Sequence, residues 1–162
     1  MPQDSTSASS QDAARQRAWN ELQAARLLFR LSERPDVQKS LLEREPLTFY
    51  SGVISHAYYS IFYVARAYLQ TRGVTTRPPR EHEQVYERFA WFVETGVLDK
   101  ELLRIYDAER PKAAVLLGIL GDEKSKRGRF TYRTLPQANK RPAEESIAHA
   151  TTFFKRLANL CE

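Results

Sequence analysis

The sequence is poor in the residues that build metal and disulfide sites. It has one cysteine, Cys161, and three histidines among 162 residues. One cysteine excludes an internal disulfide and a cysteine-based zinc site. The GxGxxG, GxxxxGK, HExxH and GxSxG motifs are absent as well, which removes support for several nucleotide-binding, metallopeptidase and hydrolase classes. We therefore expect no metal and no cofactor.

Long apolar runs are also missing, so no membrane span is expected. The amino terminus lacks the basic start and apolar stretch of a signal peptide, and we expect a cytoplasmic protein. Hydrophobic residues make up 42% of the chain, enough for a folded domain. The net charge is +5, which favours a polyanionic partner because cations displace counterions from phosphates.

Apolar residues recur at helical spacing along most of the chain, and no alternating run suggests a strand. The spacing predicts an all-α, four- to five-helix up-and-down bundle in residues 12–162, preceded by a disordered tail in residues 1–11. Helices are expected at 12–32, 36–45, 48–72 and 81–94, with Asp99 capping a fourth long helix. Pro111 is expected to break that helix, and a last helix follows Pro142 with Ile147, Ala150, Phe154 and Leu157 inside.

The segment 48–72 is apolar around most of its circumference, which is typical of a helix in the middle of a bundle or at an oligomer interface. If one of its faces is uncovered, it exposes Tyr59, Tyr63 and Tyr68. An exposed aromatic patch of this kind indicates a homodimer.

The histidines are the candidates for acid–base chemistry. Arg77 and His82 flank a proline-rich loop, where a permanent cation beside an imidazole suits phosphodiester cleavage without a metal; a chance surface pair is the alternative. His56 shares a helical stripe with Ser60, Tyr59 and Tyr63, and either lines a cleft or forms a hydrogen bond at the edge of the core. The face of His149 is expected to be solvated.

Residues 121–141 form the one long irregular stretch, and it is strongly basic. Aromatic side chains alternate with cations here, a composition that can stack on unpaired bases and hold phosphates. An exposed loop that keeps the protein soluble explains the composition equally well. The candidate phosphate-binding residues are Lys124, Lys126, Arg129, Tyr132 and Arg133, together with Arg127.

Three segments resemble the small helical HEPN domains (higher eukaryote and prokaryote nucleotide-binding). The run SHAYYSIFYVARAYLQTRGV is similar to the AYYxxFxxARxxLxxxG signature of that family. FVETGVLDKEL is similar to its FxxTGxLDxEL element, and RGRFTYR is similar to its RxxADY element, with Arg127 and Tyr132 in register. The resemblance extends over residues 12–160.

The resemblance implies a helical bundle that usually dimerises. It also implies a metal-independent endoribonuclease, often a toxin or defence effector controlled by a nucleotidyltransferase-type antitoxin, with RNA as the substrate. Active members pair an arginine with a histidine a few residues later, and no histidine follows Arg127 closely. Catalysis is therefore expected from Arg77, His82, Arg127 and His56, and the alternative is a non-catalytic module that binds a protein, a nucleotide or RNA.

Overall fold

The structure is a computed structural model that describes residues 4–41, 47–117 and 140–161. These residues form six helices and no strand, which confirms the all-α prediction. None of these helices is both long and apolar enough to cross a bilayer. The helices are α1 (Asp4–Ser32), α2 (Pro35–Leu41), α3 (Tyr50–Thr71), α4 (Glu81–Glu94), α5 (Lys100–Leu117) and α6 (Lys140–Ala158).

The central helix of the domain is α3, which packs against α1, α4, α5 and α6. It is covered on most of its circumference, as its apolar sequence predicted. The prediction that Tyr68 is exposed is wrong, because Tyr68 is fully buried and its ring packs edge-on against Phe92 of α4. Tyr59 and Tyr63 are half-buried and keep part of their surface in solvent.

The local signals at the ends of α3, α4 and α5 act as the sequence indicates. The Asp99 carboxylate accepts the backbone N–H of Glu101 at 2.8 Å and so caps α5. Gly73 and Gly96 follow α3 and α4 with φ of 72° and 79°, left-handed conformations that glycine adopts without a steric cost. Helix α4 has the bounds that the sequence predicts.

The largest differences from the predicted helix bounds are in α1 and α5. Helix α1 begins at Asp4 instead of near Asp12, and the Gln11 amide in this extension donates to the Cys161 backbone oxygen at 2.5 Å. Helix α5 continues through Pro111, where a break was predicted. Glu109, Ala113 and Ala114 are buried on either side of the proline, so tertiary packing outweighs the backbone hydrogen bond that proline cannot donate.

The last helix packs antiparallel to α5. Tyr106 contacts Phe153, Glu109 contacts His149, and Lys112 contacts Glu145, so the residue number rises on one helix as it falls on the other. The buried face of α6 includes Ala150 and Leu157, as predicted, together with Phe153. Ile147 and Phe154 are partly buried and pack against the edge of the core.

Candidate functional site

His82, the second residue of α4, lies in an aromatic enclosure built by α3. Its ring stacks on Phe62 with a centroid distance of 4.0 Å, and its Nδ1 lies 3.1 Å from the Tyr58 hydroxyl. The rings of Tyr58 and Tyr59 are each 5.8 Å from the imidazole. Burial lowers the pKa of His82 below its ordinary value of 6.5, against a weaker opposing effect of Glu81. The imidazole is therefore neutral at pH 7.

Arg77 does not join His82. Its backbone N–H donates to the Gln84 side chain at 3.3 Å, and its carbonyl accepts from the same amide at 2.9 Å. The guanidinium is exposed and forms no ion pair with any residue in the described ranges. The structure thus separates the two members of the Arg-x4-His pair, because the backbone of the loop is held by Gln84 and the arginine side chain points to solvent.

His56 forms a close pair with a carboxylate from α1. Its Nδ1 lies 2.5 Å from Oε2 of Glu21, whose other oxygen, Oε1, accepts a hydrogen bond from Arg17 Nε at 2.7 Å. The Glu21 side chain is only 6% exposed, whereas that of His56 is 39% exposed. The Glu21 carboxylate can only accept a hydrogen bond, so the proton between the two groups is on Nδ1 of His56. In this tautomer, Nε2 is the nitrogen that can accept a proton.

Tyr59 and Tyr63 connect the surroundings of the two histidines. Their rings stack with centroids 6.1 Å apart, and the Arg17 guanidinium lies 5.5 Å from the Tyr63 ring centroid. Tyr59 also contacts His82, as described above. Burial raises the pKa of the Tyr59 hydroxyl, and the nearby Tyr63 and Glu21 raise it further. We name the group of Arg17, Glu21, His56, Tyr59 and Tyr63 the His56 site.

His149 is not on a solvated face, so that prediction is wrong. Its Nδ1 lies 2.7 Å from Glu109 Oε1, and its side chain is 15% exposed. Glu109 is fully buried and also accepts hydrogen bonds from Ser146 at 2.5 Å and from Lys112 at 3.0 Å. The hydroxyl donates to the carboxylate instead of to the imidazole, so this group is not arranged as a nucleophile with its base.

Glu21 and Glu109, the carboxylates that hold two of the histidines, were not predicted from the sequence. Each stands within the apolar stripe of its helix, Glu21 beside Leu22 and Glu109 one turn after Ile105. An acidic residue at a core position needs a buried partner, and this was the available signal. Spacing along one helix does not reveal a partner on another helix.

The candidate residues of the basic segment lie outside the described residues. They are Lys124, Lys126, Arg127, Arg129, Tyr132 and Arg133. Within the described ranges, no cluster of three or more histidine, cysteine, aspartate or glutamate side chains is placed to hold a metal ion.

Comparison with known proteins gives one informative similarity. The chain is 38% identical over 86 residues to a Methanocaldococcus jannaschii protein named "Putative toxin MJ0142". The matched region covers 51% of this chain and 55% of that protein, so the chain spans about half the length of the curated relative. No protein-family model and no solved structure matches the chain.

Proposed function

We propose that this protein is a toxin-type, HEPN-like endoribonuclease and that the His56 site cleaves RNA without a metal ion. The His56–Glu21 contact of 2.5 Å is the observation that carries the proposal. The resemblance of the sequence to HEPN domains and the toxin name of the partial relative support the biological class. The resemblance to HEPN domains also favours control by an antitoxin of the nucleotidyltransferase type.

The pair has the features of a positioned general base. Glu21 is buried and fixed by Arg17, so it holds the imidazole in one orientation and one tautomer. The partly exposed ring allows a ribose hydroxyl to approach Nε2. When His56 takes up a proton, the adjacent carboxylate stabilises the imidazolium, as in other carboxylate–histidine pairs.

The reaction needs no nucleophile from the protein. Nε2 of His56 takes the proton of a ribose 2′-hydroxyl, and the 2′-oxygen attacks the adjacent phosphorus. The bond from phosphorus to the 5′-oxygen breaks, and the leaving oxygen takes a proton from water. The products are a 2′,3′-cyclic phosphate and a 5′-hydroxyl, and His56 returns its proton to solvent.

Arg17 and the tyrosine pair supply the contacts to substrate. The Arg17 side chain is 59% exposed, and its Nε is used by Glu21, which leaves the terminal nitrogens for a phosphate oxygen. Tyr63 lies beside this guanidinium, and its exposed part is available for contact with an unpaired base. His82 is enclosed and neutral, so in this proposal it supports Tyr59 and does not transfer protons.

The test is incubation of the pure protein with single-stranded RNA in EDTA. We expect 2′,3′-cyclic phosphate ends, with a loss of about 100-fold or more in His56→Asn, the range for removing a general base. Arg88→Gln on α4 is the matched control and should cleave at the wild-type rate. Loss of activity in His82→Phe but not in His56→Asn would contradict the assignment to His56. Absence of cleavage by the wild-type protein under all conditions would contradict the nuclease itself.

A second candidate is a module that binds RNA or a protein without cutting. The separation of Arg77 from His82 and the enclosure of His82 favour it, because the one Arg-x4-His spacing in the sequence does not form a joint site. It predicts that RNA binds at low salt, that no cyclic phosphate appears, and that His56→Asn binds as tightly as the wild type. Arg127→Ala tests in both cases whether the basic segment contributes to RNA affinity.

A further inference from the structure

A second exposed surface lies on α1, away from the His56 site. It consists of Trp19, Gln23, Arg26, Leu27 and Arg30, and we name it the outer α1 face. Trp19 is 43% exposed and Leu27 is 66% exposed. Glu21 lies two residues from both Trp19 and Gln23, and residues two apart on a helix point to different sides. The outer α1 face is thus separate from the proposed RNA-cleaving site.

The charged groups of this face are two arginines, Arg26 and Arg30. Arg26 Nη2 donates to the Thr151 hydroxyl of α6 at 3.0 Å, a neutral partner that orients its guanidinium. Neither Arg26 nor Arg30 forms an ion pair with a carboxylate of the described part of the chain. The Gln23 side-chain nitrogen is buried and has no hydrogen-bond partner there. Gln23, Arg26, Leu27 and Arg30 together line one shallow depression.

The other two arginines of α1 form ion pairs with carboxylates, unlike the arginines of the outer α1 face. Arg15 pairs with Asp12 at 3.5 Å, and Arg17 pairs with Glu21 at 2.7 Å. The positive charge of Arg26 and Arg30 is therefore available to a ligand. Two unneutralised arginines that line one depression favour a ligand with acceptor oxygens, such as those of carboxylates or phosphates.

Apolar groups on the same face narrow the choice of ligand. Trp19 packs on Phe154 with centroids 5.5 Å apart, and a second depression beside it is lined by Asp12, Gln16 and Phe154, among others. Leu27 is the most exposed apolar side chain of this face, and it has no aromatic surface for a base to stack on. A surface of apolar anchors with flanking arginines is complementary to a peptide that has both apolar and acidic side chains.

We propose that the outer α1 face binds an acidic amphipathic helix of a partner protein. Positions 19, 23, 26 and 30 follow one another along one side of α1, over about 16 Å at 1.5 Å per residue. That length matches three turns of a partner helix. Its apolar residues cover Trp19 and Leu27, and its carboxylates bind Arg26 and Arg30. The inference does not depend on the nuclease activity.

The fluorescence of Trp19 can be used to measure this interaction. It has two tryptophans, so Trp91→Phe leaves Trp19 as the only one. The probe is a synthetic helical peptide of about 18 residues, with leucine along one side and glutamate elsewhere, and the matched control peptide carries lysine in place of glutamate. We expect a saturable blue shift of the Trp19 emission with the glutamate peptide and no saturable change with the lysine peptide.

Variants identify the charges involved. Arg26→Gln with Arg30→Gln should weaken glutamate-peptide binding about tenfold or more, whereas Arg88→Gln, which removes an exposed arginine of α4, should leave it unchanged. Circular dichroism of each variant verifies that the helices are intact. Salt at about 0.5 M should weaken the wild-type complex and have little effect on that of the double variant.

Three results would overturn the proposal. The first is equal binding of the glutamate peptide by the wild type and the double arginine variant. The second is a Trp19 response to single-stranded poly(U) RNA that exceeds the response to the peptide, which would make the face a nucleic-acid surface. The third is a shift in emission with protein concentration alone, which would indicate that a second copy of the chain covers it. RNA cleavage is unaffected by any of these outcomes, so this proposal and the nuclease proposal fail separately.

Discussion

Glu109 is the buried charge on which the packing of α5 against α6 depends most directly. Its carboxylate is fully buried and accepts hydrogen bonds from Lys112 on its own helix and from Ser146 and His149 on α6. Glu109→Ala removes the acceptor and leaves three donors directed at an apolar gap. Glu109→Gln keeps the shape of the side chain but loses the charge and places a donor amide among other donors.

The burial of Glu109 determines how much free energy of unfolding each substitution should cost. Removing one member of a buried, hydrogen-bonded charge group destabilises a protein by about 3 to 5 kcal/mol. The glutamine variant keeps one acceptor oxygen, so we expect about 1 to 3 kcal/mol, the range for an unsatisfied buried polar group. A domain of this size is stable by about 5 to 15 kcal/mol in total. The alanine variant therefore loses a large fraction of the free energy of unfolding.

Urea unfolding followed by circular dichroism at pH 7 measures these free energies. The control is Glu101→Gln, which removes the carboxylate of an exposed ion pair with Arg104 on the same helix. We expect the control to unfold at the wild-type urea midpoint, since exposed pairs contribute little. If Glu109→Ala also unfolds at the wild-type midpoint with the same slope, the buried network does not stabilise the α5–α6 contact and this reasoning is refuted.

Two further predictions concern His82 and Gly96. Burial lowers the pKa of His82 in the folded state, so its unfolded form binds a proton more readily. The free energy of unfolding of the wild type, measured relative to that of His82→Phe, should therefore be highest above pH 6.5. It should decline as the pH falls through 6.5 toward the lowered pKa, and urea midpoints across this range measure the decline. A constant difference would contradict the assignment of a neutral imidazole. Gly96→Ala should cost about 1 to 2 kcal/mol in urea unfolding, because φ is 79° and an added Cβ gains no contact within 4 Å. An unchanged midpoint would show that the turn relaxes.

Much of the fold follows from local sequence signals. The bounds of α4, the cap at Asp99 and the glycines after α3 and α4 depend on residues close in the chain, and these signals predicted them correctly. The predicted break at Pro111 was wrong. The free-energy cost of proline in a helix is visible in the local sequence, whereas the burial of Ala113 and Ala114, which outweighs that cost, depends on the rest of the bundle.

The sequence predicted the histidines and tyrosines of the candidate site but not their carboxylate partners. The stripe of His56, Tyr59 and Tyr63 was visible from helical spacing, and so was the presence of His82 at the start of α4. Their partners were not visible, because Glu21 lies 35 positions from His56 and Glu109 lies 40 positions from His149. A periodic pattern shows that a residue faces inward without showing which side chain it meets.

The antiparallel packing of α5 and α6 has a consequence for the basic segment between them. Leu117 ends α5 and Lys140 begins α6, so these two residues lie at the same end of the helix pair. Closing a loop between fixed ends costs only about 0.6 kcal/mol more for each doubling of its length. Changes in the length of the chain between Leu117 and Lys140 should thus cost little free energy of folding, because the helices on either side fix both attachment points.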